Sequence, residues 1–254
     1  MKMIPNSKNL KILIPAAGLL GALLRCVFYL TGTDEKGLLV TGHWAHIALW
    51  ILTGAAGLLL VAGCFRLQGP SDYKDCYPAS FPAAAGCFVA ALAFLLTGLK
   101  DWRSSLNLLE SAASALCFLS AAALVYVAFC RLAQFRSRCY GHAAVCVCLA
   151  LRMVCQYRLW SSDPQLLDYC FYMAAHVGLM ITAYQLAAFD AGMGNHRSLW
   201  FSALAAVYFC LLCLWSCPNP LLMICCGIWV LSNLTQLNPR PRRVRPQLQL
   251  DEEA

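Results

Sequence analysis

Charge is what this sequence has least of. Asp, Glu, Lys and Arg make up 12% of its 254 residues, whereas soluble domains carry about 25%. A water-soluble globule with so little charge would expose wide apolar patches and aggregate. Ten-residue segments of alternating polarity separated by turns are also missing, which argues against a membrane β-barrel. No G-x-S-x-G, H-E-x-x-H, Walker A or C-x-x-C-H motif occurs, and no pair of aspartates lies inside an apolar run. Nothing therefore supports a specific hydrolase, zinc protease or NTPase, and no catalytic residue is assigned. The net charge of +7 comes from short basic clusters between apolar runs. That distribution fits topology signals and anionic lipid, not nucleic acid.

What is abundant is apolar surface: 61% hydrophobic residues and a mean hydropathy of +0.63. Eight apolar stretches stand out, at 10–30, 38–64, 80–99, 106–131, 141–159, 165–189, 198–216 and 219–237. Each is near the roughly 20 residues that cross a hydrocarbon core. Lipid offers no hydrogen bonds, so such runs must satisfy their amides internally, as helices. Between them lie turn-forming segments: Gly69-Pro70-Ser71-Asp72, Ser161-Ser162-Asp163-Pro164, Ala191-Gly192-Met193-Gly194-Asn195 and Cys217-Pro218-Asn219-Pro220. The expected fold is all-α, a polytopic transmembrane bundle of about eight helices forming one domain over 1–237. A disordered tail follows over 238–254.

Lys and Arg set the expected orientation. One set of connecting segments holds Lys2, Lys8, Lys11, Arg66, Lys74, Arg131, Arg136, Arg138, Arg197, Arg240, Arg242, Arg243 and Arg245. The other holds only Lys36, Lys100, Arg103 and Arg158. The bias predicts both termini in the cytoplasm and a location in the cytoplasmic (inner) cell membrane. Trp102, Trp160 and Trp215 then fall at the outer interface. The first run is expected to be retained as a span, because Arg25 interrupts it and no A-x-A cleavage site follows. In the tail, Arg240, Arg242, Arg243 and Arg245 are expected to meet anionic headgroups before the acidic end Asp251-Glu252-Glu253.

Sixteen cysteines sit almost entirely within the apolar runs, for example Cys117, Cys146, Cys148, Cys225 and Cys226. Their plain role is packing as small apolar residues, in a reducing or anaerobic setting. Cys210, Cys213 and Cys217 share a helix face, but no fourth metal ligand is evident at a matching place, Cys225 and Cys226 of the next span being the candidates. A half-chain similarity also exists. Leu24-Arg25-Cys26-Val27 and Leu151-Arg152-Met153-Val154 lie half the chain apart, and His46 and His176 fall in the next span of each half. Two four-helix halves would explain this, although compositional coincidence explains it more simply.

Charged groups within spans are costly and usually face a partner or a cavity. Arg25 and Arg152 are the two in question. His43, His46, Glu110, Asp168 and His176 fall toward the same side, so these seven residues form a candidate ligand-binding cluster open to the outside. A buried pair, Arg25 with Glu110 or Arg152 with Asp168, would account for the charges. The plainer alternative is snorkelling to headgroups or a structural ion pair. His46 and His176 are also the one histidine pair that could hold haem axially, though no cofactor or metal is assigned. On the cytoplasmic side, Asp190, Gly192, Gly194 and Asn195 mark a glycine-rich loop. Its amides could cradle a phosphate, but a tight interhelical turn is the simpler reading.

Leu24-Arg25 through His43, with Asp34 and Gly37-Leu38-Leu39, together with Asp190 to Asn195, resembles a group of uncharacterised bacterial multi-pass membrane proteins. That resemblance implies a bacterial membrane protein and brings no activity with it. From the residues themselves, the leading expectation is a small transporter-like or ligand-binding permease. The rival is a non-transporting accessory, assembly or sensor subunit that binds a protein partner in the membrane through small-residue faces such as Gly54-Ala55-Ala56 and Ala121 to Ala123. A haem redox protein ranks third.

Overall fold

The computed structural model describes residues 7–32, 42–64, 80–104, 107–133, 135, 137–160 and 169–237. The turns at Gly69 to Asp72 and Ser161 to Pro164, Asp34, the candidate Asp168, and the tail with Arg240, Arg242, Arg243 and Arg245 lie outside these residues.

The described residues form eight α-helices: α1 Ser7–Thr31, α2 Trp44–Cys64, α3 Phe81–Ser104, α4 Leu108–Ala133, α5 Tyr140–Trp160, α6 Cys170–Asp190, α7 His196–Leu212 and α8 Pro220–Gln236. Among the described residues, seven helices are long and apolar enough to cross a membrane. The eighth, α8, has 17 residues, about 25 Å at 1.5 Å per residue, the short end of the range for a span. The surface agrees. Ile12, Ile51 and Leu58 are 73%, 68% and 74% exposed, which water would not tolerate in a monomer but hydrocarbon does. The chain is thus a helical bundle of integral-membrane character.

Helix starts follow local chemistry. Ser80 Oγ accepts the backbone N–H of Ala83 at 3.3 Å ahead of α3. Asn195 accepts from Arg197 and Ser198 ahead of α7, and Pro220 opens α8 where a missing N–H costs nothing. One end matters for the site: α3 does not stop at 99 but continues to Ser104, so Lys100 and Asp101 are helical. Helix α7 tightens into a 3₁₀ turn at Cys213–Trp215.

Six helices close into a ring. Each of α3 to α8 packs on its sequence neighbour, and α8 returns to α3. The α1–α2 pair docks outside the ring, with both helices on α7. The packing therefore does not divide at mid-chain into two four-helix halves, because α1 and α2 associate with a helix of the second half while α3 and α4 join the ring. Close approach depends on small residues, as is usual within a bilayer. A Cβ on Gly86 would lie 1.9 Å from Ser232 Oγ and 3.3 Å from the Trp229 backbone, between α3 and α8. One on Gly178 would lie 3.0 Å from the Ala206 backbone, between α6 and α7. Trp200, Trp229, Tyr172 and Phe94 fill the interior.

Successive helices run antiparallel, so the bundle has two ends. One gathers the start of α1, the end of α4, the start of α5, the end of α6 and the start of α7. There Lys11 lies 4.9 Å over the Trp200 ring and donates to the Thr235 carbonyl at 3.3 Å. The opposite end gathers Arg25, His43, Asp101, Glu110, Arg152, Phe171 and Ser216.

Candidate functional site

The end of α3, the start of α4 and the end of α5 enclose a cavity of about 250 Å³. It is lined by Asp101 and Ser104 of α3, Glu110 and Ala113 of α4, and Arg152, Cys155, Gln156 and Leu159 of α5. A smaller lobe of about 110 Å³ adjoins it, with Asn107, Glu110, Cys155 and Arg158 on its wall. The geometry follows from helix ends. Asp101 is in the last turn of α3 and Glu110 in the first turn of α4, whereas Arg152 sits two turns inside α5. The cavity is thus a funnel with acids near its rim and a guanidinium at its base.

Arg152 is 3% exposed, while the Asp101 side chain retains 28%. Nη1 of Arg152 donates to Asp101 Oδ2 at 2.5 Å and to Cys117 Sγ at 3.4 Å. Nε is sealed from solvent and has no partner among the described residues. Nη2 makes no hydrogen bond to the described residues and is not among the sealed atoms, so it is the donor left facing the cavity. Cys117 of α4 in turn approaches Cys148 of α5, with sulfurs 3.6 Å apart, both thiols buried.

Beside Arg152, α6 supplies Tyr172 and His176, both fully buried and both within its electrostatic reach. His176 Nδ1–H donates to the Tyr172 carbonyl at 3.2 Å. This leaves Nε2 as a buried acceptor without a partner among the described residues. The two rings pack with centroids 4.3 Å apart.

The remaining candidates lie at the same end but elsewhere. Arg25 is 1% exposed, with Nη2 donating to Ser216 Oγ at 2.9 Å and its guanidinium 4.7 Å over the Phe171 ring. Glu110 is on the other side of the bundle, in the Arg152 cavity. The rings of His43 and His46 lie tilted against Phe28, with centroids 5.7 and 5.1 Å away. The Ala45 backbone N–H donates to His43 Nδ1 at 3.3 Å, so His43 helps to start α2. Trp50 Nε1–H donates to His46 Nε2 at 3.0 Å. That bond occupies the lone pair haem would need, and His46 faces Phe28 and Trp50 while His176 faces the ring interior. The described residues do not form the bis-histidine arrangement. Thus Arg152 and Glu110 share a cavity, His176 lies next to it, and Arg25, His43 and His46 form separate aromatic contacts.

The glycine-rich loop is a turn. Gly192 takes a φ of 81°, the left-handed region open to glycine. Its N–H bonds the Phe189 carbonyl at 3.0 Å and the Met193 N–H bonds Ala188 at 2.9 Å, ending α6 in the manner of a Schellman motif. Gly194 sits on the Phe189 ring, where a Cβ would come within 2.3 Å, and Asn195 caps α7. The amides of Ala191, Gly192 and Met193 are thereby bonded to the end of α6. Asp190 is not a loop residue but the end of α6, wholly buried, and His142 Nδ1–H donates to its Oδ2 at 2.7 Å. His142 stacks on Trp229, with centroids 6.1 Å apart and planes at 19°. Arg131, expected as a flanking charge, is 2% exposed at this same end of the bundle.

The residues missed from the sequence are Asp101, Gln156, Cys117 with Cys148, and His142. Asp101 gave one signal, lying one turn past an apolar run, where a helix can carry it back over the bundle end. No family model matches this chain, and neither the curated proteins nor the solved structures include a match to it.

Proposed function

We propose that the chain is a small permease-like, ligand-binding membrane protein whose cavity at Arg152 faces outward and accepts a small polar solute through an anionic group. One observation supports this above the rest. A guanidinium 3% exposed at the base of a polar cavity has one nitrogen, Nη2, that is neither sealed from solvent nor bonded to a described residue. A purely structural arginine in lipid would have its donors bonded by protein or carried to the headgroups. The proposed orientation takes both termini as cytoplasmic from the Lys and Arg bias, and sets the cavity on the far side of what the resemblance implies is a bacterial inner membrane. The arginines Arg240, Arg242, Arg243 and Arg245 then lie among anionic headgroups.

Two measurements test this. Reporter fusions at each terminus should read cytoplasmic. The wild-type chain should bind small carboxylate-bearing solutes, and purified Arg152→Leu should remain monodisperse yet lose that binding. Full retention of binding in Arg152→Leu and His176→Ala together refutes the proposal.

The accessory-subunit reading has one observation in its favour. Gly54 and Gly57 of α2 have no atom of the described residues within 4 Å of where a Cβ would stand, and such open small-residue faces can dock another helix. A stoichiometric partner retained through mild-detergent purification would select that reading instead.

A further inference from the structure

Behind the Arg152 guanidinium lie two thiols that packing alone does not explain. Cys117 of α4 and Cys148 of α5 are both 0% exposed, with sulfurs 3.6 Å apart. Cys155, Cys213 and Cys217 direct their thiols to backbone carbonyls. Cys117 instead accepts Nη1–H of Arg152 at 3.4 Å. With that donor already on Cys117, the S–H lying between the two sulfurs is assigned to Cys148. Helix spacing produces the alignment: Cys148 and Arg152 stand at i and i+4 on α5, so both face Cys117.

Thiols react as thiolates, and a cation beside the sulfur stabilises the negative charge. Cys117 has such a cation, and Cys148 places a second sulfur within reach of it. Access selects the reagent. Neither sulfur has exposed surface, which excludes a protein disulfide or a bulky oxidant. The approach is through the cavity of about 250 Å³, whose wall includes Arg152 itself and Ala113, one turn from Cys117 on α4. The oxidant must have few atoms, and it must be uncharged to pass the Arg152–Asp101 ion pair without binding there. We infer that Cys117 and Cys148 form an oxidant-reactive dithiol that takes a small peroxide, with Cys117 attacking, Cys148 resolving and Arg152 holding the attacking sulfur. The reaction does not require that the cavity bind a solute. Cys117 gives its proton to water in the cavity, and its sulfur attacks one peroxide oxygen. An S–O bond forms, the O–O bond breaks, and the leaving hydroxide takes up a proton as water. The Cys148 sulfur then attacks the Cys117 sulfenic acid. An S–S bond forms, the S–O bond breaks, and the hydroxyl leaves with the Cys148 proton as a second water. Two thiols lose two electrons and one peroxide is reduced to two waters.

The test uses the full reduced chain in lipid nanodiscs, equimolar hydrogen peroxide and peptide mapping by mass spectrometry. The Cys117–Cys148 disulfide should form before the half-buried Cys139, Cys146 and Cys155 are oxidised. Dimedone, which traps sulfenic acid, reads the division of roles. Added after acid quenching and unfolding, it should label Cys117 in Cys148→Ser. It should label Cys148 in Cys117→Ser about tenfold less, the scale of one charge-assisted hydrogen bond. Arg152→Met should slow disulfide formation about tenfold for the same reason. The order of oxidation in the wild-type chain needs no variant to fold. Oxidation of Cys139, Cys146 or Cys155 while Cys117 and Cys148 stay reduced would overturn the proposal. So would equal labelling of the two sulfurs, or an unchanged rate in Arg152→Met.

Discussion

Removing Asp101 should harm this protein more than removing Arg152, although the two form one pair. The reason is their unequal burial. Arg152 is 3% exposed and the Asp101 side chain 28%. In Asp101→Asn the guanidinium loses its counter-charge while remaining largely out of water, the situation in which a stranded buried charge costs about 3–5 kcal/mol. Partial access through the cavity reduces this, so the expected loss is about 2–3 kcal/mol. In Arg152→Met the leftover carboxylate turns to the water that already reaches it. The methionine fills the shaft of the former side chain, and the expected loss is about 1 kcal/mol. The double variant should be no worse than Asp101→Asn alone, which gives a coupling of at least about 1 kcal/mol. Equilibrium unfolding in mixed micelles of a mild detergent and dodecyl sulfate, followed by tryptophan fluorescence, measures all four proteins. Equal losses in the two single variants, or additive losses in the double, would refute the claim that a buried guanidinium depends on this one carboxylate.

Other expectations follow from packing. Gly86→Ala should destabilise by about 1–3 kcal/mol through overpacking against Ser232 and Trp229, whereas Gly54→Ala, with open space at its Cβ, should be neutral or stabilising by about 0.5–1 kcal/mol; the same unfolding assay reads both. Mild oxidation with diamide should join Cys117 to Cys148, whose sulfurs are 3.6 Å apart. Peptide mapping should find that cross-link, and either single serine variant should abolish it. At the other end of the bundle, Asp190→Leu should cost about 3 kcal/mol by leaving His142 unpaired in the core. Asn195→Ala, which removes only the cap of α7, should cost about 1 kcal/mol. Reversal of that order in thermal unfolding would mean that the His142–Asp190 contact contributes little.

The helices were legible in the sequence, and the helix rotations were not. Eight apolar runs with Gly, Pro, Asn and Ser between them anticipated the eight helices to within a few residues at most described ends. The cause is local: in lipid each backbone N–H must bond within its own segment, so hydropathy and turn chemistry decide where a helix begins and stops. Arg25, Arg152 and His176 stood out for a local reason too, since polar groups in such runs are rare. Their neighbours could not be read. These helices are apolar on nearly every side, so no amphipathic stripe marks which face turns inward. A partner across the bundle depends on which helices pack together and at what register. Asp101 meets Arg152 because α3 runs past its apolar stretch and lies near α5. Arg131 is buried, Cys117 touches Cys148 and His142 pairs with Asp190 because the ring of α3 to α8 closes. The cavity exists because three helix ends leave a gap there. Hydrogen bonding within each segment determined the elements, and only the packing between segments determined the site.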